Sequence, residues 1–315
     1  MQTINYLIID GDVSGRVKCS IDESTIIAYR ISRKHLSKGV DDFDRESWTS
    51  KNGIYLLITK SSTDKPSVYV GQANQRKNGD GFIARLSEHL KDENKGEWNE
   101  VILLTVKDEY PIPLNALEHK FWEDAVKINR CNLKQTEPQN DKITHERRGF
   151  FDNFVKYGEF FVGILGHKIY EPISKQIEDK SLNSVSLATQ KIVDDEIFKL
   201  EFKKGTLALG KRTDEGFVVL KGAKISNSRS SKKEELKEQT RRLYEKIEAV
   251  RAEKDYAIDK STWETTEDLL FMSANEAGGF VSYGLSDYVN FWIEIKSNKT
   301  LNLIQKEEAE ALAKN

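Results

Sequence analysis

Tyr55, Tyr69, Arg85, His89 and Glu118 are residue types that together can hydrolyse a phosphodiester. That reaction needs positive charge near the non-bridging oxygens, a base for the attacking water and neutralisation of the transition state. Glu118 is the candidate metal ligand. One carboxylate, completed by phosphate and water, suits Mg²⁺, which keeps much of its hydration shell, and Mn²⁺ is the alternative ion. Arg85 can grip a phosphate through its planar fork. His89 lies one helical turn later on the same face, where it can assist proton transfer or position the phosphate. Tyr55 and Tyr69 can orient water and phosphate if both hydroxyls face one side. Tyr55 is the better candidate for a base beside a metal, a role that needs a strong local shift from the ordinary tyrosine pKa of about 10.

Four elements must hold these side chains. GIYLLIT and SVYVG each read as a strand carrying one tyrosine, with Ser61–Lys65 and Pro66 as the connecting turn. Gly53 and Gly71 suit close backbone approach. From Gly81 to Leu90 the apolar residues Phe82, Ile83, Leu86 and Leu90 have helical spacing and carry Arg85 and His89. Residues 101–106 (VILLTV) form a buried strand. Pro113 starts a second amphipathic helix through Leu114, Leu117, Phe121 and Ala125. Glu118 falls on its apolar face, a costly place for an unpaired carboxylate, and this favours a role for it. Each residue has an ordinary reading when taken alone. Either tyrosine can be a core aromatic, Arg85 a solvated helix residue, and His89 a partner of Glu88 or Asp92. Order and spacing make the set specific.

That order resembles the GIY-YIG nuclease family over residues 1–140. Gly53-Ile54-Tyr55 stands as GIY, Tyr69-Val70-Gly71 as YIG, then Arg85, His89 and Glu118 follow. The resemblance implies an α+β domain with a small antiparallel sheet flanked by helices, and metal-dependent cleavage of DNA. Some restriction-type members also place a His one turn after the Arg. The family pattern Leu-x-Asn after the Glu helix is here Leu133-Lys134-Gln135, so Gln135 offers a longer amide, and Asn132 can substitute with a register shift. GFVVLKG and FMSANEAGGFVSYGLSDYVNFWIEI resemble the uncharacterised domain often fused behind such nucleases in bacteria.

The chain has 315 residues, 38% hydrophobic and 32% charged, enough for two domains. Beyond the nuclease-like 1–140, residues 141–195 read as a helical extension and linker, and 196–315 as a second α+β domain of accessory function. A β meander precedes the motif region, and 31–50 contains one short helix. No apolar run approaches a membrane span, the first residues read as a strand, and Cys19 and Cys131 match no disulfide or zinc framework. A cytoplasmic setting follows. The net charge is −2 overall, and residues 1–140 hold 20 Lys+Arg against 21 Asp+Glu. A DNA-binding face must therefore come from local clustering. Gly71, Arg76, Lys77 and Gln135 are candidates for substrate contact. Lys221, Lys224, Arg229, Lys232 and Lys233 form a basic stretch in the second domain, and His145, Arg147 and Arg148 a third cluster. In 231–254 the stripe Leu236, Leu243, Ile247 and Val250 marks one buried helical face. His35, His119 and His167 have no partner evident in the sequence. Near-neutral charge and Gln135 favour an alternative: a catalytically inactive DNA-binding or protein-interaction module on the same scaffold.

Overall fold

Residues 101–106 are buried at every position because they form the middle of a sheet rather than its border. A computed structural model describes residues 3–60, 65–77, 79–91, 98–107, 110–172, 196–202, 206–229 and 238–313. The connecting turn at 61–64, the linker at 173–195, Lys232, Lys233 and Leu236 lie outside the described residues. The chain divides into two compact units, Met1–Pro172 and Ile173–Asn315.

In the first unit, β1 (Ile4–Ile8), β2 (Val17–Ile21), β3 (Ile26–Ser32), β4 (Gly53–Thr59), β5 (Ser67–Ala73), β6 (Glu100–Val106) and β7 (Asn132–Leu133) share one sheet. The order is β1-β2-β3-β6-β4-β5-β7. The architecture is α+β, but the sheet has seven strands and is not the small antiparallel one expected. The meander β1–β3 precedes the motif strands in the chain and joins them in one sheet. β3 pairs with β6 from Ile26↔Val106 to Ser32↔Glu100, which adds three strands. β7 pairs parallel to β5 through Ser67↔Asn132 and Val68↔Leu133, so the sheet is mixed.

The central strands β4 and β6 are apolar on both sides because both faces are covered. On one face Ile54, Leu56, Val68 and Val70 pack against α4 (Leu114–Ile128) and α5 (His145–Ile164). Phe121, Phe154 and Phe161 are fully buried there, each contributing about 1.5–3 kcal/mol by burial. On the other face Tyr55, Leu57 and Leu103 pack against Trp48, Phe82 and Leu86. Phe82 and Leu86 belong to α3 (Phe82–Lys91). Two short helices, α1 (Arg33–Leu36) and α2 (Asp42–Ser47), occupy the stretch where one was expected. β1 is exposed at all five residues.

Asp44 on α2 is fully buried and is the centre of a closed ionic hub. It pairs with Arg16 at 3.0 Å and with His35 at 3.0 Å, and accepts from Trp48 Nε1 at 2.8 Å. Asp41, the helix N-cap, receives the Asp44 N–H and a second Arg16 contact at 2.7 Å. Ligand atoms of His35, Asp41 and Asp44 lie within 4.8 Å of one another, a metal-like spacing. The Arg16 guanidinium already supplies the cation, so the cluster is structural. The other two orphan histidines also have partners, distant in sequence: His119 meets Glu137 at 2.9 Å and His167 meets Glu100 at 3.3 Å.

Where α5 crosses α4, an acidic side chain is half-buried. Burial pushes the Glu159 carboxyl up to about 8, with Asp124 adding to the shift and Lys120 opposing it. Lys120 bridges Asp124 at 2.8 Å and Glu123 at 2.9 Å.

The second unit has β8 (Ile197–Phe202), β9 (Thr206–Thr213), β10 (Gly216–Val219), β11 (Ile258–Asp259), β12 (Glu264–Thr265), β13 (Leu269–Phe271) and β14 (Ile293–Glu294). A five-stranded sheet runs β13-β10-β9-β8-β14, and β11 pairs with β12. The helices are α6 (Glu238–Glu253), α7 (Ala274–Ser282) and α8 (Leu301–Ala313). Arg212 on β9 ties Glu196 at 2.7 Å to Glu308 of α8 at 2.6 Å. On α6 Tyr244 and Arg251 are buried, the expected Ile247 and Val250 are half-buried, and Leu243 is exposed, so the stripe is shifted at Leu243. The reason is Arg229, whose guanidinium lies 4.5 Å from the Tyr244 ring centre and pairs with Glu248. Arg229 is thus bound inside the fold and is not a free basic surface. Tyr288 and Trp292 are core residues.

Candidate active site

Neighbouring antiparallel strands set the tyrosines. Tyr55 on β4 faces Gly71 on β5, and Tyr69 on β5 faces Leu57 on β4. With a side-chain period of two, Tyr55 and Tyr69 share a sheet face. Their rings stack with centres 6.2 Å apart. Gly71 has a steric reason to be glycine. A Cβ there would overlap the Tyr55 ring and hydroxyl.

α3 lays two side chains over this pair. His89 is buried, with its ring centre 5.3 Å from that of Tyr55 and 5.4 Å from that of Tyr69. Its Nε2 lies 2.6 Å from Tyr55 Oη. Arg85, one turn earlier, donates from Nε to the same oxygen at 3.2 Å. A consistent arrangement has the hydroxyl accepting from Arg85 and donating to His89, which places the imidazole proton on Nδ1. Of the partners expected for His89, Asp92 lies outside the described residues. Glu88 instead pairs with Arg85 at 2.9 Å and with Arg76.

Burial pushes the Tyr55 hydroxyl well above its ordinary value; Tyr69 and Glu118 add to the shift, and Arg85 opposes it. This direction is opposite to what a general base requires. Its two hydrogen bonds, to His89 and Arg85, hold the hydroxyl in place. Partial burial works against the Arg85 charge, but Tyr55 and Glu88 outweigh it, and the guanidinium holds its proton more firmly than usual. Its side chain keeps 40% exposure, so the charge is accessible to a ligand.

Glu118 comes from the helix on the other face of the sheet. β5 pairs with β7 only through Ser67 and Val68, and the Glu118 charge adds to the upward shift of the Tyr55 hydroxyl. Gln72 alternates with Gly71 along β5 and so shares the α4 face with Glu118. Its Nε2 donates to Glu118 Oε2 at 2.8 Å and to Asn115 Oδ1 at 2.5 Å. One nitrogen therefore sits between two hard oxygens three residues apart on α4. An all-oxygen donor set of this kind fits Mg²⁺ or Mn²⁺, and Glu118 with Asn115 would hold the ion. Asn115 and Gln72 escaped the sequence reading. The signal was available: Asn115 precedes Glu118 by one helical turn, and Gln72 follows YVG directly.

The remaining candidates lie farther out. Arg76 and Lys77 are exposed in the loop after β5. Gln135 donates to the Val70 carbonyl at 2.7 Å, extending the β7 pairing along β5. It braces the strand that carries Tyr69 and Gly71. Asn132 donates to the Lys65 carbonyl at 3.4 Å and lies at the far end of β7. The chain matches no family model, no curated protein and no solved structure.

Proposed function

We propose that the first unit is a metal-dependent endonuclease that hydrolyses DNA phosphodiester bonds. One observation carries this reading. The Tyr55 hydroxyl is bonded at once to His89 and Arg85 and lies close enough to Glu118 to respond to its charge. Such a buried network of proton-bearing groups beside an accessible cation and a carboxylate is more elaborate than a core requires.

In this reading Arg85 meets the scissile phosphate and neutralises charge as it develops. Tyr55 and Tyr69 form the wall against which the phosphate rests. His89 keeps the Tyr55 hydroxyl oriented through its Nε2. Glu118, with Asn115, would hold the divalent ion. Such an ion, when bound, polarises phosphoryl oxygens and lowers the pKa of bound water.

Nicking of supercoiled plasmid with Mg²⁺ or Mn²⁺ tests the proposal. Cutting by the parent protein and its loss in Glu118→Gln support it. A folded protein that binds plasmid and leaves it intact with either ion points instead to the binding-module reading.

A further inference from the structure

Beside Glu118 lies a cleft of about 350 Å³ that none of the groups assigned above fills. It lies within the first unit, between the end of β5, the start of α4 and the segment leading into α5. Its volume is within the roughly 300–1,000 Å³ range of small-ligand sites. Three side-chain amides line it: Gln72, Asn74 and Asn115. Ile112 and Pro113 supply an apolar wall, and Lys142 and Arg147 supply positive charge.

The lining discriminates among ligands. A bare phosphate would need mostly cations, yet Asp141 also lines the cleft, held by Asn115 Nδ2 at 2.8 Å. A purely apolar ligand would leave the buried Gln72 Oε1 with nothing to accept. Amides present donors and acceptors together, which is what the edge of a nucleobase requires. Aliphatic side chains suit its flat face. Position agrees, because Gln72 belongs to the cleft and also bonds Glu118 directly. Gln72 Oε1 is buried with no hydrogen-bond partner among the described residues, so this amide retains an unused acceptor.

We propose that this cleft takes one nucleobase of the cleaved strand, adjacent to the scissile phosphate, and reads its edge. The proposal rests on the nuclease reading above. Lys142 and Arg147 then face the flanking backbone phosphate. Asn74 is exposed at the rim of the lining, where it can change without disturbing the core.

Mapping both ends of every break across a plasmid tests this. The full-length protein, Asn74→Ala and Asn74→Trp are compared, each first checked for an unchanged melting curve. Parental breaks should share a preferred base at one fixed position beside the cut. That preference should flatten by about tenfold in Asn74→Ala, the size of one lost base contact, and vanish in Asn74→Trp, which fills the cleft. Parental cutting without preference at any fixed flanking position overturns the base-reading cleft alone. So does a preference that survives both substitutions. No cutting by the parent overturns the nuclease reading, and the base-reading cleft falls with it.

Discussion

Tyr55 and Gly71 face each other across the β4–β5 ladder, and the space beside the glycine is filled by the Tyr55 ring. Gly71→Ala should therefore act on Tyr55 first. Overpacking costs about 1–3 kcal/mol, and the ring can relieve it only by leaving His89. Urea unfolding should show that loss, and plasmid nicking should fall by more than stability explains. Unchanged nicking in a destabilised Gly71→Ala protein would separate the Tyr55 position from the reaction.

Removing the Tyr55 oxygen tests the network from its centre. Tyr55→Phe keeps the ring but leaves buried His89 Nε2 without its 2.6 Å partner. An orphaned buried polar group costs about 1–3 kcal/mol. Both stability and cutting should drop, and His89→Phe combined with Tyr55→Phe should be less destabilising than the sum of the two changes. Chemical denaturation of the four proteins gives the coupling directly.

Glu118→Gln should abolish Mg²⁺-dependent nicking while leaving the melting curve and most DNA affinity intact. The amide keeps shape but loses the charge that would hold the ion. Arg85→Ala should lose about 10²-fold or more in rate, the size of one missing transition-state donor. If Glu118→Gln cuts as fast as the parent, the ion is held elsewhere.

Glu159 predicts a pH signature in the α4–α5 packing. Its carboxyl rises from 4.5 to about 8 on folding, chiefly by burial. A raised folded pKa gives stability that is complete below 4.5 and is lost as pH rises toward about 8. Melting temperatures between pH 5 and pH 9 should therefore fall more steeply for the parent than for Glu159→Gln, whose neutral amide has nothing to ionise. Parallel curves for the two proteins would show that Glu159 is solvated in the fold.

The sequence made the motif strands and the two helices behind them legible because each has a clear period. Tyr55 and Tyr69 alternate along strands, and Arg85 with His89 repeats at one helical turn. Sheet size was not legible. The pairing of β3 with β6 joins residues 68 to 80 positions apart, and neither strand names its partner. Partners outside their own elements likewise hid the pairings of His119 with Glu137, His167 with Glu100 and Arg229 with Glu248. Gln72 was passed over because an amide has no distinctive chemistry until its neighbours are known. The direction of the Tyr55 shift was invisible for a related reason: burial depends on what α3 places over the ring.

The Asp44 hub has a consequence for how this sequence can drift. Arg16, His35, Asp41 and Trp48 all converge on one sheltered carboxylate. A change at any of the four alters what the other three must satisfy, so their substitutions will not combine additively. Relatives of this chain should exchange these positions as a set or hold them together. A lone replacement of Asp44 by a neutral residue should survive only where Arg16 has gone as well.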